Sequence, residues 1–204
     1  MFLFKYEREY WNQYHLIAGL DEAGRGAWAG PVCAAAVIFE KNVVIEGVND
    51  SKKLSPHKRE TLFDQIKARC VSYGIGMIEP AVIDAINILE ATKKAMIMAL
   101  TQLKPQPDFL FIDGNIRLDY PLPQKPIIDG DALSHSIAAA SILAKVSRDR
   151  LMIKMADQYP EYGFESHKGY GTKLHREILK KNGCLSIHRK SYAPISAILM
   201  EASR

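Results

Sequence analysis

The chain has 204 residues, 48% of them hydrophobic and 25% charged, and carries a net charge of +4; it is long enough to close a core without a disulfide or zinc staple, and too apolar for wholesale disorder. No apolar run reaches the roughly 18 residues of a membrane span. The charged, aromatic start MFLFKYEREYWNQYH is unlike a secretory leader, and three scattered cysteines (Cys33, Cys70, Cys184) without a CxxC read as the reduced thiols of a cytoplasmic protein.

Residues 1–15 read as a short amphipathic lead-in. LIAGLDEAG at 16–24 is a predicted strand, and after a glycine-rich turn PVCAAAVIF at 31–39 is a second, paired with it as a hairpin. NDSKK at 49–53 is a loop. Ser55 and Pro56 fit the N-cap and first position of a helix running to about Cys70. Residues 71–78 form a third strand, and Glu79-Pro80 opens a helical region to about Leu103. The run FLFI at 109–112 predicts a strand ending at Asp113-Gly114, and 126–129 a short one. The alanine-rich stretch from Ser134 to about Gln158 is the clearest helix. Two further helices are expected near 173–181 and 194–202. A hairpin followed by alternating helices and strands implies a mixed sheet with helices packed on it, an α/β fold, in one domain over 1–204 with a helical, basic part from about 160 to 204.

Four acids, Asp21, Glu22, Asp113 and Asp131, sit where predicted strands end and loops begin, the edge at which open α/β sheets place their ligands. Asp113-Gly114 taken alone is equally a turn, and Asp131 equally serves a helix dipole. The adjacent pair Asp21-Glu22 is harder to explain, because one acid of the pair must point inward, where it needs a partner. Strand alternation sends the two to opposite faces, so Glu22 must turn back at the strand end to share a site. Carboxylates gathered at one place call for a divalent cation, and an all-oxygen donor set selects Mg²⁺ or Mn²⁺ over zinc. Two such ions would activate water and steady the leaving oxygen of a phosphodiester.

Gly24-Arg25-Gly26 follows directly, and its backbone groups are free to approach a sugar hydroxyl or phosphate. Lys52 and Lys53 offer cations in a loop. Between Glu165 and Lys190 there are seven Lys/Arg (Lys168, Lys173, Arg176, Lys180, Lys181, Arg189, Lys190) against two acids, with His167, His175 and His188 among them. Such a stripe suits a polyanion or is a solvated surface. Tyr170, between glycines within it, is placed to stack on a sugar or meet a 2′-hydroxyl.

The segments LDEAGRG (20–26), NDSKKLS (49–55), FIDGN (111–115), GD (130–131), AAASILAKVSRDR (138–150), YGFESHKGYGT (162–172) and IHRKSY (187–192), in this order, make the chain resemble bacterial type 2 ribonuclease H, the ribonuclease HII family. The resemblance implies a ribonuclease H-like five-stranded mixed sheet flanked by helices, with a small C-terminal helical part. It implies a metal-dependent endonuclease acting on RNA–DNA hybrids and on duplex DNA with embedded ribonucleotides. Such an enzyme cuts 5′ to the ribonucleotide and leaves 3′-hydroxyl and 5′-phosphate ends, in ribonucleotide and RNA-primer removal. It assigns Asp21, Glu22, Asp113 and Asp131 as the catalytic and metal-binding acids, with two Mg²⁺ or Mn²⁺ ions. Gly24, Arg25 and Gly26 are assigned to reading the 2′-hydroxyl and Tyr170 to sensing the junction. Lys52, Lys53, Ser141, Lys145 and Arg189 match positions that hold phosphates or support the site, and Lys168 begins the backbone-binding stripe.

Two departures stand out. Asp129 replaces the lysine usual before Gly130-Asp131, which leaves open whether Asp129 or Asp131 faces the site, and Ala27-Trp28 is bulky for its loop. A monomer without an obligate protein partner is expected, and residues 1–15 leave no room for the extra N-terminal domain of the sister type, ribonuclease HIII. The alternative from another class is a non-catalytic nucleic-acid-binding module.

Overall fold

Strand β1 (Ile17–Ala23) pairs antiparallel with β2 (Val32–Ile38), and β2 antiparallel with β3 (Ser72–Ile78). On the other side of β1 lie β4 (Phe109–Asp113) and then β5 (Gln124–Ile127), both parallel to their neighbours, so the order is β3-β2-β1-β4-β5. This is the mixed five-stranded sheet expected from the sequence. The computed structural model describes residues 3–202. Met1, Phe2, Ser203 and Arg204, the extremes of the lead-in and of the C-terminal part, lie outside the described residues.

Both sheet faces are covered, which is why β2 reads as an unbroken apolar run. Alternate residues part to the two sides: Ala34, Ala36 and Ile38 join one core cluster and Cys33, Ala35 and Val37 the other. Helix α3 (Pro80–Thr101) closes the first face. Its backbone passes so near β3 that a Cβ at Gly74 or Gly76 would strike the carbonyls of Ala99 or Ala95. Helix α2 (Pro56–Arg69) and helix α5 (His135–Gln158) close the second face. At Gly19 the backbone of α5 lies directly on β1. Small residues at the contacts, Ala138, Ala139 and Ala140 among them, make this close approach possible.

The capping chemistry read from the sequence holds. Ser55 accepts from the Lys58 N–H and Ser134 from the Ile137 N–H. The lead-in contains helix α1 (Lys5–Tyr10), whose buried Glu7 accepts from the hydroxyls of Ser134 and Ser136 and from the Ser136 N–H, a second cap on α5. Two expectations need correcting. The region 79–103 is broken at Asn87, where φ is 68° and the side-chain oxygen caps the second segment through Leu89 N and Glu90 N. Strand β5 lies at 124–127 rather than 126–129, because Asp129 takes a left-handed φ of 54° and starts the one-turn helix α4 (Gly130–Leu133).

Beyond α5 come the short α6 (Phe164–His167), α7 (Lys173–Asn182) and α8 (Ala193–Ala202). They enclose a separate apolar cluster around Trp28, Tyr162, Phe164, Leu179 and Ile195. Trp28 therefore belongs to the core that ties the β1–β2 hairpin to the C-terminal part. Its ring fills the space a side chain at Gly171 would need.

His167, His175 and His188 are buried in this same cluster, so they are not part of a cationic surface. Their hydrogen bonds define neutral tautomers. His167 accepts from Gly169 N–H and donates to the Tyr162 carbonyl; His175 donates to the Tyr170 carbonyl and accepts from His188; His188 accepts from Leu185 N–H. Burial holds His175 and His188, and likewise His135 beneath Phe4 and Phe39, down at about 4. A base with a lowered folded pKa binds fewer protons folded than unfolded, so stability rises with pH across that window. The share of stability these three rings contribute is flat above pH 7 and is lost between pH 6.5 and about 4, opposite in sign to that of the buried carboxyls, so the rings are read directly: in an NMR titration of the folded protein their C2 protons are expected to shift only near pH 4. Rings that titrate near 6.5 in the folded protein would contradict this assignment.

Candidate active site

Parallel pairing of β1 and β4 in the register Leu20↔Ile112 delivers Asp21 and Asp113 to the same end of adjacent strands. Asp21 lies on the face of Gly19, where α5 crosses, and is 4% exposed. Its Oδ1 accepts from the Glu22 N–H at 2.6 Å, and the Ser141 hydroxyl from α5 donates to its carboxylate. Ser141 is itself set by the Ser51 hydroxyl at 2.9 Å. Glu22 stays in the strand yet lines the same cleft, with Oε1 3.3 Å from Arg25 Nη1 and Oε2 buried without a hydrogen-bond partner.

Asp113 Oδ1 accepts from Gly130 N–H at 2.8 Å, so the start of α4 is fastened to the end of β4. That contact decides between the two acids of the following turn. Asp131 is buried, beside Asp113 and Asp50, with Oδ2 3.7 Å from Lys52 Nζ; Asp129 is exposed and carries the turn's positive φ.

Asp21, Glu22 and Asp113 thus line one cleft, with Asp131 beside Asp113, and each of the four is held above its ordinary pKa, mainly by burial. For Asp21 the negative charges of Glu22 and Asp113 add to the burial, and the shift is the largest of the four. Lys52 reaches from its loop toward Asp131, Asp21, Asp50 and Asp113. Among the described residues no three of these side chains are drawn up as a finished metal cage. Like charges in a dry site push apart until a cation joins them. The donor set is all oxygen, one oxygen of Glu22 is buried and unused, and among the described residues the cations that face the acids, Lys52 and Arg25, are exposed side chains. These residues fit a divalent cation of the Mg²⁺ or Mn²⁺ kind.

The cleft holds about 420 Å³ and is walled by Gly24, Arg25, Gly26, Lys52, Lys145 and Tyr170 as well as by Asp21, Glu22 and Asp113. Tyr170 and Lys145 also line a second groove of about 460 Å³ that continues past Lys168 and Arg59. Tyr170 therefore stands on the ridge between two depressions. The cations of Lys145 and Arg148 lie 5.4 and 5.1 Å from its ring centre.

The remaining sequence-predicted residues divide. Lys145 points into the cleft but is paired with Asp149 at 2.7 Å. Lys53 is exposed and pairs with Asp50 at 3.8 Å, away from the cleft wall. Lys168 borders the second groove, with its ammonium on the Glu165 carbonyl. Arg189 is a correction: it is fully buried, bonded to the carbonyls of Gly30 and Arg25 and to the Tyr192 hydroxyl, and has no surface to offer a phosphate.

Arg148 was not singled out from sequence, yet it is the largest buried polar side chain near the site. Its guanidinium donates to the carbonyls of Pro31, Ala29 and Lys168, and it occupies the space a Cβ at Gly24 would need. The signal was available. Ser141, Lys145 and Arg148 are spaced four and three apart, one stripe of α5, and that stripe faces Asp21, the cleft and the loop in turn.

A family model described as Ribonuclease HII matches residues 18–195. The chain is 53% identical to a ribonuclease HII of Bacillus cereus over 185 residues, 91% of this chain and 72% of that one. It is 56% identical to the ribonuclease HII of Acetivibrio thermocellus over 188 residues, 92% of this chain and 73% of that one. The crystal structure of ribonuclease H2 from Pyrococcus horikoshii OT3 superposes with a TM-score of 0.79 at 27% identity, covering 93% of this chain and 99% of that one.

Proposed function

The chain belongs to the ribonuclease HII family and is an endoribonuclease of RNA–DNA hybrids, and on that premise we propose that Asp21, Glu22, Asp113 and Asp131 are its catalytic acids. The observation that carries the proposal is the gathering of these acids: Asp21 and Glu22 line one cleft with the distant Asp113, Asp131 lies beside Asp113, and nothing in the fold requires their burial. The family's divalent-metal dependence fits these donors, and Mg²⁺ or Mn²⁺ is the proposed cation, two ions serving one cut. When bound, such cations supply the positive charge that activates a water and stabilises the departing 3′ oxygen.

The protein's own groups do the positioning. Ser141, itself set by Ser51, holds the Asp21 carboxylate, and Gly130 holds that of Asp113. Gly24, Arg25 and Gly26 line the cleft with an exposed turn, the side from which a ribose 2′-hydroxyl is read. Tyr170 packs beside the sugar at the junction, and Lys52, Lys145 and Lys168 meet phosphates on either side of its ridge. Phosphate contacts of this kind orient a duplex without reading its sequence. The substrates proposed are hybrid duplex and duplex DNA with embedded ribonucleotides, cut on the 5′ side to leave 3′-hydroxyl and 5′-phosphate ends. Among the described residues no helix is long and apolar enough to cross a membrane, and the cytoplasm is the proposed location.

A labelled DNA duplex with one ribonucleotide tests the reading. Cleavage at that position is expected in Mg²⁺ or Mn²⁺ and none in EDTA, with Tyr170→Ala slowing the cut roughly tenfold or more and binding changing little. Binding of hybrid duplex with no cleavage in either metal would instead identify a nucleic-acid-binding module.

A further inference from the structure

The Gly24–Ala27 segment is a turn closed by the Ala27 N–H on the Gly24 carbonyl at 3.3 Å. Neither of its central residues, Arg25 and Gly26, has a positive φ, so it is of the type I kind. A glycine at the third position makes the alternative equally accessible. Rotating the Arg25–Gly26 peptide plane by half a turn would give a type II turn, whose positive φ only a glycine accepts readily. The sequence of the turn therefore does not choose which way this peptide faces.

The C-terminal part makes the choice. The Arg25 carbonyl accepts from Arg189 Nη1 at 2.8 Å and from the Tyr192 hydroxyl at 2.5 Å, and Arg189 also donates to Tyr192 at 2.9 Å. Two further bonds from Arg189 to the Gly30 carbonyl fix the guanidinium, which is fully buried. The 190–191 backbone is in turn held by Asp84 of α3, which accepts from the N–H groups of Lys190 and Ser191. In a trans peptide the N–H points opposite to the carbonyl. With the Arg25 oxygen pinned inward, the Gly26 N–H faces away from Arg189 and Tyr192. It donates to no described group, and Gly26 lies on the cleft wall with open space beside it.

We propose that Arg189 and Tyr192 are positioning residues that lock the Arg25–Gly26 peptide plane, and so set the enzyme's preference for a ribose 2′-hydroxyl over other 2′ substituents. The assignment rests on the reading of the cleft given above and adds a determinant of specificity outside it. A surface role for Arg189 would leave its contacts with the Arg25 carbonyl of the turn, the Gly30 carbonyl and the Tyr192 hydroxyl without purpose.

The test compares the whole chain with Tyr192→Phe, which removes one hydroxyl from a half-buried ring. Single-turnover rates are measured on two DNA duplexes that differ only at one position, a ribonucleotide in one and a 2′-deoxy-2′-fluoro nucleotide in the other. The ratio of the two rates does not depend on the fraction of enzyme folded, so a merely structural defect leaves it unchanged. Tyr192→Phe is expected to lower the ribonucleotide rate about tenfold, as befits one lost hydrogen bond to an aligned group, and to bring the ratio down by a similar factor. Arg189→Lys, which keeps the charge but not the forked geometry, is expected to move the ratio the same way. A ratio unchanged in both variants, whatever the rates, overturns the proposal. A wild-type enzyme that does not distinguish the two duplexes overturns the reading of the cleft itself, and the proposal with it.

Discussion

Asp21→Asn is expected to abolish hybrid cleavage, by on the order of a thousandfold or more, while duplex binding and circular dichroism stay nearly as in the parent. Asp21 is the most deeply buried of the four acids and the one most strongly raised, by burial first and then by Glu22 and Asp113. A carboxyl raised in the folded state holds its proton longer there than in the unfolded chain. The metal-free protein therefore loses stability as pH rises from the ordinary carboxylate value toward the folded one. Asparagine keeps the shape and an acceptor for Ser141 and carries no charge. Without divalent ions the variant should melt at or above the parent's temperature at pH 8, the usual exchange of stability for activity at a functional site. With Mg²⁺ or Mn²⁺ the order should reverse, because ligation stabilises only the state that binds. Melting curves at pH 5 and pH 8, with and without the ion, read all of this. Full activity in the variant, or an ion-dependent gain as large as the parent's, would remove Asp21 from the metal site.

Arg148→Met should cost about 3–5 kcal/mol of folding free energy, since three buried carbonyls lose their donors at about 1–3 kcal/mol each and the costs are not fully additive. The guanidinium is fully buried and, among the described residues, forms no ion pair. Its charge is met by three carbonyls, of Ala29, Pro31 and Lys168, and by the Tyr170 ring. Methionine fills much of the volume but leaves those carbonyls without donors in a dry environment. Arg148→Lys is expected to recover little, because one ammonium cannot span three acceptors. Equilibrium urea unfolding at pH 7.5 gives the figure, and a loss under about 1 kcal/mol would mean that water or a shifted backbone satisfies the carbonyls. The same substitution loosens the ridge at Tyr170, so residual activity should fall faster than the folded fraction.

Much of the architecture was legible because it follows from local rules. Alternation and apolar runs marked β1 to β4, and the caps at Ser55 and Ser134 marked two helix starts with the bonds later seen. What escaped was controlled by single backbone angles. Asn87 and Asp129 adopt positive φ, and no pattern of hydrophobicity announces a residue there. The four acids were found as strand-end exceptions to burial, although neither alternation nor composition could show that Glu22 shares a cleft with Asp21. The charge stripe at 165–190 misled for Arg189 and the three histidines, since counting charges along a chain does not tell which of them face water.

Local chemistry, periodicity and the type of each side chain were enough to mark most of the secondary structure and the candidate acids, since each depends on near neighbours along the backbone. The burial of Asp131 rather than Asp129 beside Asp113, the inward turn of Arg189 and Arg148 and the facing of the Arg25–Gly26 peptide depend on contacts between residues far apart along the chain, more than a hundred positions for the two arginines. Those contacts exist only once the sheet has set its register and α5 and the C-terminal helices have closed over it, because hydrogen bonds in a water-free interior are chosen by distance in space and not by order in the chain.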